Sequence, residues 1–560
     1  MVPDAIRTAD LGFGPYLHDD PSHRYPVYTR GNAGEVYPEV VYPFGTSIAR
    51  LVDDPFRRAM LAGRGVAESD FAGEPGFGTI SGVFAGYAYL NLSLTRRLAA
   101  RAPGVTPEEV DAAVLGSEAA APPHVPAPGQ RSVSRSLGIV TATLAAMRAT
   151  SLPRLDTDRD YASRLRRDHR WHAAASDDEL VRRITGLVPI ATVMFERHLL
   201  VSGYAASAVV LLRQQVEKMT GDPAGAMTLL GGIGDIDSAD PARRLWDLSR
   251  LEPTGQEFAR RFADFLDVHG GRGPNEWEIA CPTWGTEPSM AMALVDRLRA
   301  AGDEQSPEAR SAALAAERES TLDTIRSGAG RLSRHNFERS LRFATLYSQG
   351  RERAKTNVIN VIHQQRLAAL ELGRRLAERA GTGDVIDLWF CYHHELDTLR
   401  ADPEAFIDTA AARRSTREAL AERVPPFVFD GVIPPPTEWA IRDEQVSDAA
   451  SPGVTLAGTP GGSGRVTGVA RIVTDPGQEA DLGPGTILVA PHTDPAWTPL
   501  FLGVDAVVVD VGGQVSHAVI VARELGLPCV VGVDGATRSI PDGATITVDG
   551  DAGSVRVDAH

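Results

Sequence analysis

The sequence predicts a multidomain protein: a large, mainly α domain over residues 1–424, a linker over 425–453, and a small β/α domain over 454–560. Three observations predict it. Residues 133–149, 178–220, 287–302 and 306–380 carry apolar side chains at three- and four-residue spacing, with Arg and Glu between them; that is the period of an amphipathic helix. Residues 425–453 turn Pro-rich and then polar (Pro-Pro-Pro-Thr-Glu, then Asp-Ala-Ala-Ser-Pro-Gly), a boundary composition. Beyond them, short Val/Ile/Thr-rich runs alternate with Gly-Pro and Asp-Gly turns around one helical segment. At 560 residues the chain exceeds what one hydrophobic core holds and fits two to four domains.

Taken in order, residues 1–50 are rich in Pro, Tyr and Gly and read as loops and short extended pieces, and the pattern turns helical from about 85. Ala-Pro-Pro-His-Val-Pro-Ala-Pro at 121–128 interrupts the helices as a surface loop. The apolar stretch near 187–213 contains Glu196, Arg197 and His198, and reads as a core helix, not a membrane span. The Gly-rich piece at 231–234 has no neighbouring lysine and reads as a turn, not a phosphate loop.

Composition narrows the function classes. A net charge of −16 argues against nucleic acid and against an anionic membrane surface as partners. Cys281, Cys391 and Cys529 lie far apart, which points to a reducing, cytoplasmic setting and to neither a disulfide framework nor a metal cluster. Lys218 and Lys355 are the only lysines among 57 basic residues. In so Arg-biased a chain, a retained lysine either marks a place where a compact ammonium is useful or survives by chance.

Four local patterns carry chemistry. Gly512 and Gly513 permit a sharp turn, Ser516 is placed as an N-cap, and Ala518–Leu525 has helical spacing before Gly526 and Pro528 stop it. His517 therefore opens a helix, where it either merely caps that helix or uses the neighbouring unpaired N–H groups, which favour a group gaining negative charge on phosphorylation. Arg30, Asn32 and Glu35 lie in a Gly-containing loop at 28–38, suited either to a polar site or to a hydrogen-bonded scaffold. Arg272 and Glu276, in Gly-Gly-Arg-Gly-Pro-Asn-Glu-Trp-Glu, would orient a substrate or brace their own loop. In Gly-Arg-Glu-Arg-Ala-Lys (350–355), Arg351 and Lys355 fall about 40° apart on a helix with Glu352 on the adjacent flank. Such a turn can clamp a phosphoryl group, or simply be a solvated charged face.

The segment 512–532 resembles the signature of the swivelling phosphohistidine domain of phosphoenolpyruvate synthase, pyruvate phosphate dikinase and rifampicin phosphotransferase. The resemblance continues through Gly-Ser-Gly-Arg-Val-Thr-Gly-Val-Ala-Arg (462–471), Pro-Gly-Thr-Ile-Leu-Val-Ala (484–490), the segment at 493–501 and Asp-Gly-Ala-Thr-Ile-Thr-Val-Asp-Gly (542–550). Val509-Asp510 stands where relatives carry a polar pair. The loops at 28–38 and 270–278, the Arg-Glu-x-x-Lys turn, and the segments at 384–390 and 395–396 resemble the drug-binding domain of rifampicin phosphotransferase-like proteins. Tyr28 stands where those relatives have Trp, and residues 50–260 match poorly. The resemblance implies an α substrate-binding domain followed by a swivelling domain. It implies that His517 carries the phosphoryl group, that Glu352 helps deprotonate the acceptor, and that Arg351 and Lys355 offset the phosphoryl charge.

Relatives also carry an ATP-grasp domain that charges the histidine. Arg30 lies too near the start to leave room for one, and no Gly-x-x-x-x-Gly-Lys-Ser/Thr loop is present. The expectation is that this chain alone binds no cofactor or metal, and that Mg-ATP is used through a separate ATP-grasp subunit. Three functions remain open. A split phosphotransferase would pass phosphate from His517 to a hydroxyl of a small, largely apolar organic acceptor. An ATP-independent isomerase, dehydratase or cyclase would use His517 and Glu352 as acid and base. A ligand-sequestering protein would leave the histidine motif unused.

Overall fold

The 50-residue helix Arg331–Ala380 is the spine of the molecule. Its buried face repeats through Phe337, Leu341, Ala344 and Tyr347, then through Val358, Val361, Ala368, Leu372 and Leu376. Gly381, at φ 70°, closes it in the left-handed conformation that glycine adopts most readily. Between the two apolar runs the stripe is occupied by Arg351 and Lys355. The structure, a computed structural model, describes residues 7–559 apart from 116–120, 127–128, 168–170, 223–224, 235–236, 238–239, 300–301, 304–305, 328–329, 383–385, 443–449, 475–481, 494–496 and 514–515. Parts of the motifs at 384–390, 493–501 and 512–532, and part of the expected linker, therefore lie outside the described residues.

A companion helix, Val188–Thr220, packs along the spine. Val201, Ala205, Ala208, Leu212 and Val216 meet Phe337, Leu341, Ala344 and Tyr347 in one apolar cluster. Val188 joins a second cluster with Phe44, Ile48, Ala368, Leu372 and Leu376. The run Asp177–Thr220 is long and apolar enough to cross a membrane; here the face through Val201, Ala205, Ala208 and Leu212 packs on the spine.

The first part of the chain also holds strands. β1 (Thr8–Asp10) and β2 (Pro15–Leu17) form a hairpin. β3 (Val27–Thr29), β4 (Ser81–Phe84), β5 (Tyr87–Asn91) and β6 (Val428–Asp430) form a four-stranded sheet in the order β4-β5-β3-β6. Helices already occur at Pro43–Ala49, within the stretch expected to be loops and extended pieces, and at Pro55–Ala62, while the helical run expected from about 85 starts at Leu92, after β5. The β4–β5 turn uses Ala85 at φ 48° and Gly86 at φ 79°, the paired positive φ values of a tight hairpin. β6 falls inside the expected linker and pairs with β3, Tyr28 opposite Phe429, their rings stacked at 5.0 Å. Residues 425–442 therefore belong to the first body, because the aromatic face of β3 is buried by this returning strand.

The C-terminal part is a mixed eight-stranded sheet. In chain order its strands are β7 (Thr455–Ala457), β8 (Thr459–Gly462), β9 (Arg465–Ile472), β10 (Thr486–Ala490), β11 (Ala506–Val509), β12 (Cys529–Val531), β13 (Thr545–Asp549) and β14 (Ser554–Ala559). They are ordered β7-β14-β13-β9-β10-β11-β12-β8, with β9 to β12 parallel. The helix His517–Leu525 connects β11 to β12. The protein is multidomain, largely helical and then β-rich, as the sequence predicts.

The two parts are packed together. Trp497, Leu500, Phe501 and Val519 share one apolar cluster with Leu245, Trp246, Phe265 and Leu294 of the helical part. Arg310 donates to the carbonyls of Phe501 (3.2 Å) and Leu502 (3.1 Å). Inside the sheet domain, Gly550 passes so close to Gly462 that a Cβ there would strike the Gly462 carbonyl oxygen, a backbone atom that cannot rotate away. Gly550→Ala is expected to cost more than about 1 kcal/mol of stability, read as a lower denaturant midpoint; wild-type stability would mean the crossing is loose.

Candidate active site

His517 is the first residue of its helix, with Ser516 at the N-cap. The cap position is as the sequence suggests, but the Ser516 hydroxyl is buried and makes no hydrogen bond. Gly512 is tightly packed: a Cβ there would lie 3.1 Å from Cβ of Val531, which would have to give by a few tenths of an ångström. The imidazole is held between two threonine hydroxyls, with Nε2 3.3 Å from Oγ1 of Thr498 and Nδ1 3.3 Å from Oγ1 of Thr493. Burial first, then the charges of Lys355, Arg272 and Arg351, push its pKa well below the usual histidine range. His517 is therefore neutral and faces a cationic surface contributed by the helical part.

That surface is built from two elements. Arg351 and Lys355 come from the interrupted stripe of the spine. Arg272 comes from the loop after the helix Gln256–His269. Gly273 lets this loop pack tightly, since a Cβ there would lie 2.8 Å from Cα of Thr283. Glu276, 1% exposed, ties the elements together through a single carboxylate oxygen: Oε1 is 3.0 Å from Arg272 and 3.1 Å from Nζ of Lys355. Arg272 also donates to Oγ1 of Thr356 at 2.6 Å. Glu352 is buried beside Arg351, Oε1 to Nε 3.9 Å.

The loop after β3 supplies a further carboxylate. Burial pushes the pKa of Glu35 up to about 7, against the lowering influence of Arg351, of a backbone hydrogen bond from Gly513 and of Lys355. Glu35 thus lies on the seam between the glycine turn of the histidine segment and the cations. Arg30 and Asn32 shape its loop instead of entering the cluster. Arg30 donates to the carbonyls of Tyr37 (3.2 Å) and Pro38 (2.9 Å) and stacks 4.6 Å above Tyr87. Asn32 is exposed at φ 67° ahead of the short helix Ala33–Val36.

The structure thus gathers His517, Arg351, Lys355, Arg272, Glu276 and Glu35, with Glu352 on the flank. Sequence reading singled out neither threonine as a site residue; their signal was only their place in the Thr-Asp-Pro-Ala-Trp-Thr segment. Among the described residues, no group of three His, Cys, Asp or Glu side chains is placed to hold a metal ion.

Residues 482–553 match the model of the PEP-utilising enzyme mobile domain, and residues 197–355 match that of the rifampicin phosphotransferase fourth domain. A rifampicin phosphotransferase of a Streptomyces species is 33% identical over 54% of this chain and 35% of that enzyme. The chain is homologous to the rifampicin phosphotransferases. The second match reaches back to residue 197, well into the stretch whose resemblance looked poor, and ends on Lys355. An uncharacterized protein of Mycobacterium tuberculosis is 30% identical over 95% of this chain and 62% of its own length. An uncharacterized phosphotransferase of Bacillus subtilis is 28% identical over 55% of this chain and 38% of its own. The chain therefore spans less than two thirds of each of these relatives.

Glu35 gives the assembly a pH dependence of defined sign. Its pKa in the folded protein lies above its ordinary value of 4.5, so the folded state holds the proton more tightly and its contribution is lost as pH rises toward about 7 and beyond. The wild-type melting temperature is expected to fall over that window relative to Glu35→Gln. Parallel curves would place the proton elsewhere.

Proposed function

We propose that this chain is the carrier and acceptor part of a phosphotransferase. His517 takes a phosphoryl group from a separate ATP-grasp partner using Mg-ATP, and passes it to a hydroxyl of a small organic molecule held by the helical part. The observation that carries this reading is the burial of a neutral His517 against Lys355, Arg272 and Arg351. Three cations offer little to an uncharged imidazole, but they suit the roughly two negative charges that a phosphoryl group brings. The match of residues 482–553 to a phosphohistidine-type mobile domain supports the same reading.

In the transfer step the P–N bond to His517 breaks and a P–O bond to the acceptor forms. The cations hold the phosphoryl oxygens, and Glu276 fixes Arg272 and Lys355 so that little reorganisation is needed. The hydroxyl proton leaves to a carboxylate. Glu35, with a pKa near neutrality, is matched to that duty, while Glu352 holds Arg351. His517 is returned neutral and unphosphorylated.

One observation favours a second reading. A neutral histidine and a carboxyl that keeps its proton to about pH 7 form an acid–base pair without any phosphate. On that reading the chain is an ATP-independent isomerase, dehydratase or cyclase.

Treatment with phosphoramidate, a small-molecule phosphoryl donor, separates the readings. The phosphotransferase reading expects acid-labile, base-stable phosphate on the wild-type chain and none on His517→Ala. Absence of phosphate from His517 in the wild type would sink it. Lys355→Ala and Glu35→Gln are each expected to slow dephosphorylation by an acceptor alcohol by about ten- to ten-thousandfold. A surface ion pair at Lys355 would leave that rate unchanged and cost at most about 1 kcal/mol of stability.

A further inference from the structure

The helix Pro307–Ser327 has two halves with different surroundings. Its rear half is anchored: Leu322 and Ile325 are buried in the apolar cluster with Phe337 and Leu341 of the spine and Leu212 and Val216 of the companion helix. Its front half reaches out over the sheet domain. There Ser311, Ala312, Ala313, Ala315 and Ala316 are exposed, while Arg310, Leu314 and Arg318 are half-buried. Spaced by four, those three side chains form one stripe along the helix. A helix that packs through so narrow a stripe needs intrinsic stability, and its alanines supply it. The front half is thus a stiff arm fixed at one end.

The stripe touches both parts of the chain. Arg318 donates to the carbonyl of Leu229 in the helical part at 3.0 Å. Leu314 is wedged between two glycines in the left-handed conformation. A Cβ on Gly232 (φ 58°) of the helical part would lie 3.0 Å from Cβ of Leu314, and a Cβ on Gly526 (φ 65°) of the sheet domain would lie 3.2 Å from its Cδ2. Gly526 is the residue that closes the His517 helix. Arg310 crosses the seam to the carbonyls of Phe501 and Leu502, at the end of the short helix Thr498–Phe501, with the Asp505 carboxylate nearby. That short helix carries Thr498, the hydroxyl at Nε2 of His517. Both contacts therefore fall on elements that frame His517, and neither belongs to the cation cluster.

We infer that the helix Pro307–Ser327 is a strap that holds the sheet domain docked and sets how often His517 swings clear of the helical part. Its hold is one aliphatic side chain and one arginine fork, a contact small enough to open and reclose without unfolding either part. Glycine on both sides of Leu314 offers no side chain to interlock with, so the leucine withdraws without a neighbour changing rotamer. The strap also bears on the larger apolar contact through Trp497, Leu500 and Phe501, because Arg310 grips the backbone of Phe501 itself. The inference goes beyond the phosphotransferase reading: it needs His517 to be exposed when the sheet domain leaves, whatever that histidine carries.

The test is the rate at which diethyl pyrocarbonate, a small electrophile that acylates neutral imidazole, modifies His517 in the full chain, followed by mass spectrometry of the His517 peptide. His363, 7% exposed in the spine, reports unfolding of the helical part in the same sample. Leu314→Ala and Arg310→Ala are each expected to raise the His517 rate by about fivefold or more, with no change at His363. Leu314→Met, which keeps the apolar volume, and Ser311→Ala, on the exposed face, are expected to stay within about twofold of wild type. A wild-type rate at His517 in folded Leu314→Ala and Arg310→Ala, or a parallel rise at His363, would each overturn the strap. No phosphate enters this measurement, so it stands or falls separately from the phosphoramidate experiment. Faster modification in the strap variants with no phosphate on wild-type His517 would keep the strap and remove the phosphotransferase.

Discussion

One buried carboxylate organises the candidate site. Glu276 receives Arg272 and Lys355 on the same oxygen while almost fully removed from solvent. Without it, cations converging on one small surface would repel one another, and each would tend to turn toward water. With it, a loop and a helix that are distant in sequence are locked into one charged surface. The surrounding design follows from the need to hold that carboxylate still. Gly273 allows its loop to lie against the Thr283 backbone, and the spine carries Lys355 on a helix anchored by apolar clusters on both sides of the charged turn.

The second organising contact is between the two parts of the chain. The sheet domain buries Trp497, Leu500 and Phe501 among side chains of the helical part, and this places the glycine turn against Glu35 and His517 before the cations. On the proposed phosphotransferase reading, the arrangement is that of a carrier at its acceptor station. Its polar seam contains groups whose charge depends on pH, and phosphorylation of His517 would add negative charge at the point where the three cations meet.

Much of this was legible before any coordinates, for particular reasons. The histidine segment announced itself because turn, cap, helix and stop follow one another within a short window, each with its own residue signal. The spine was visible as a long apolar period, and the positions where Arg351 and Lys355 break that period are the ones the site uses. Less legible were features that depend on partners far away in sequence. The pairing of β6 with β3 sets Phe429 on Tyr28 across most of the chain, and a Pro-rich stretch gives no hint of such a partner. The hairpin at Ser81–Asn91 turns on Ala-Gly, a weak signal beside Asn-Gly or Asp-Gly. Arg30 reads in the sequence only as an arginine in a polar loop; that its Nη2 bonds the carbonyls of Tyr37 and Pro38 depends on how that loop folds back.

The return of β6 to the first sheet fixes how far along the chain the first body extends before the histidine domain begins. Arg442 is still fastened to the first body through the Glu422 carbonyl, and Ala450 is already bonded to Ser539 of the second. The two attachments, Arg442 and Ala450, lie eight residues apart in sequence, so with both in place their Cα atoms can be separated by no more than roughly 29 Å. On the phosphotransferase reading proposed above, His517 is then presented to any charging partner from within that span. Any site that charges His517 must then either come within that radius or loosen one of the two attachments first.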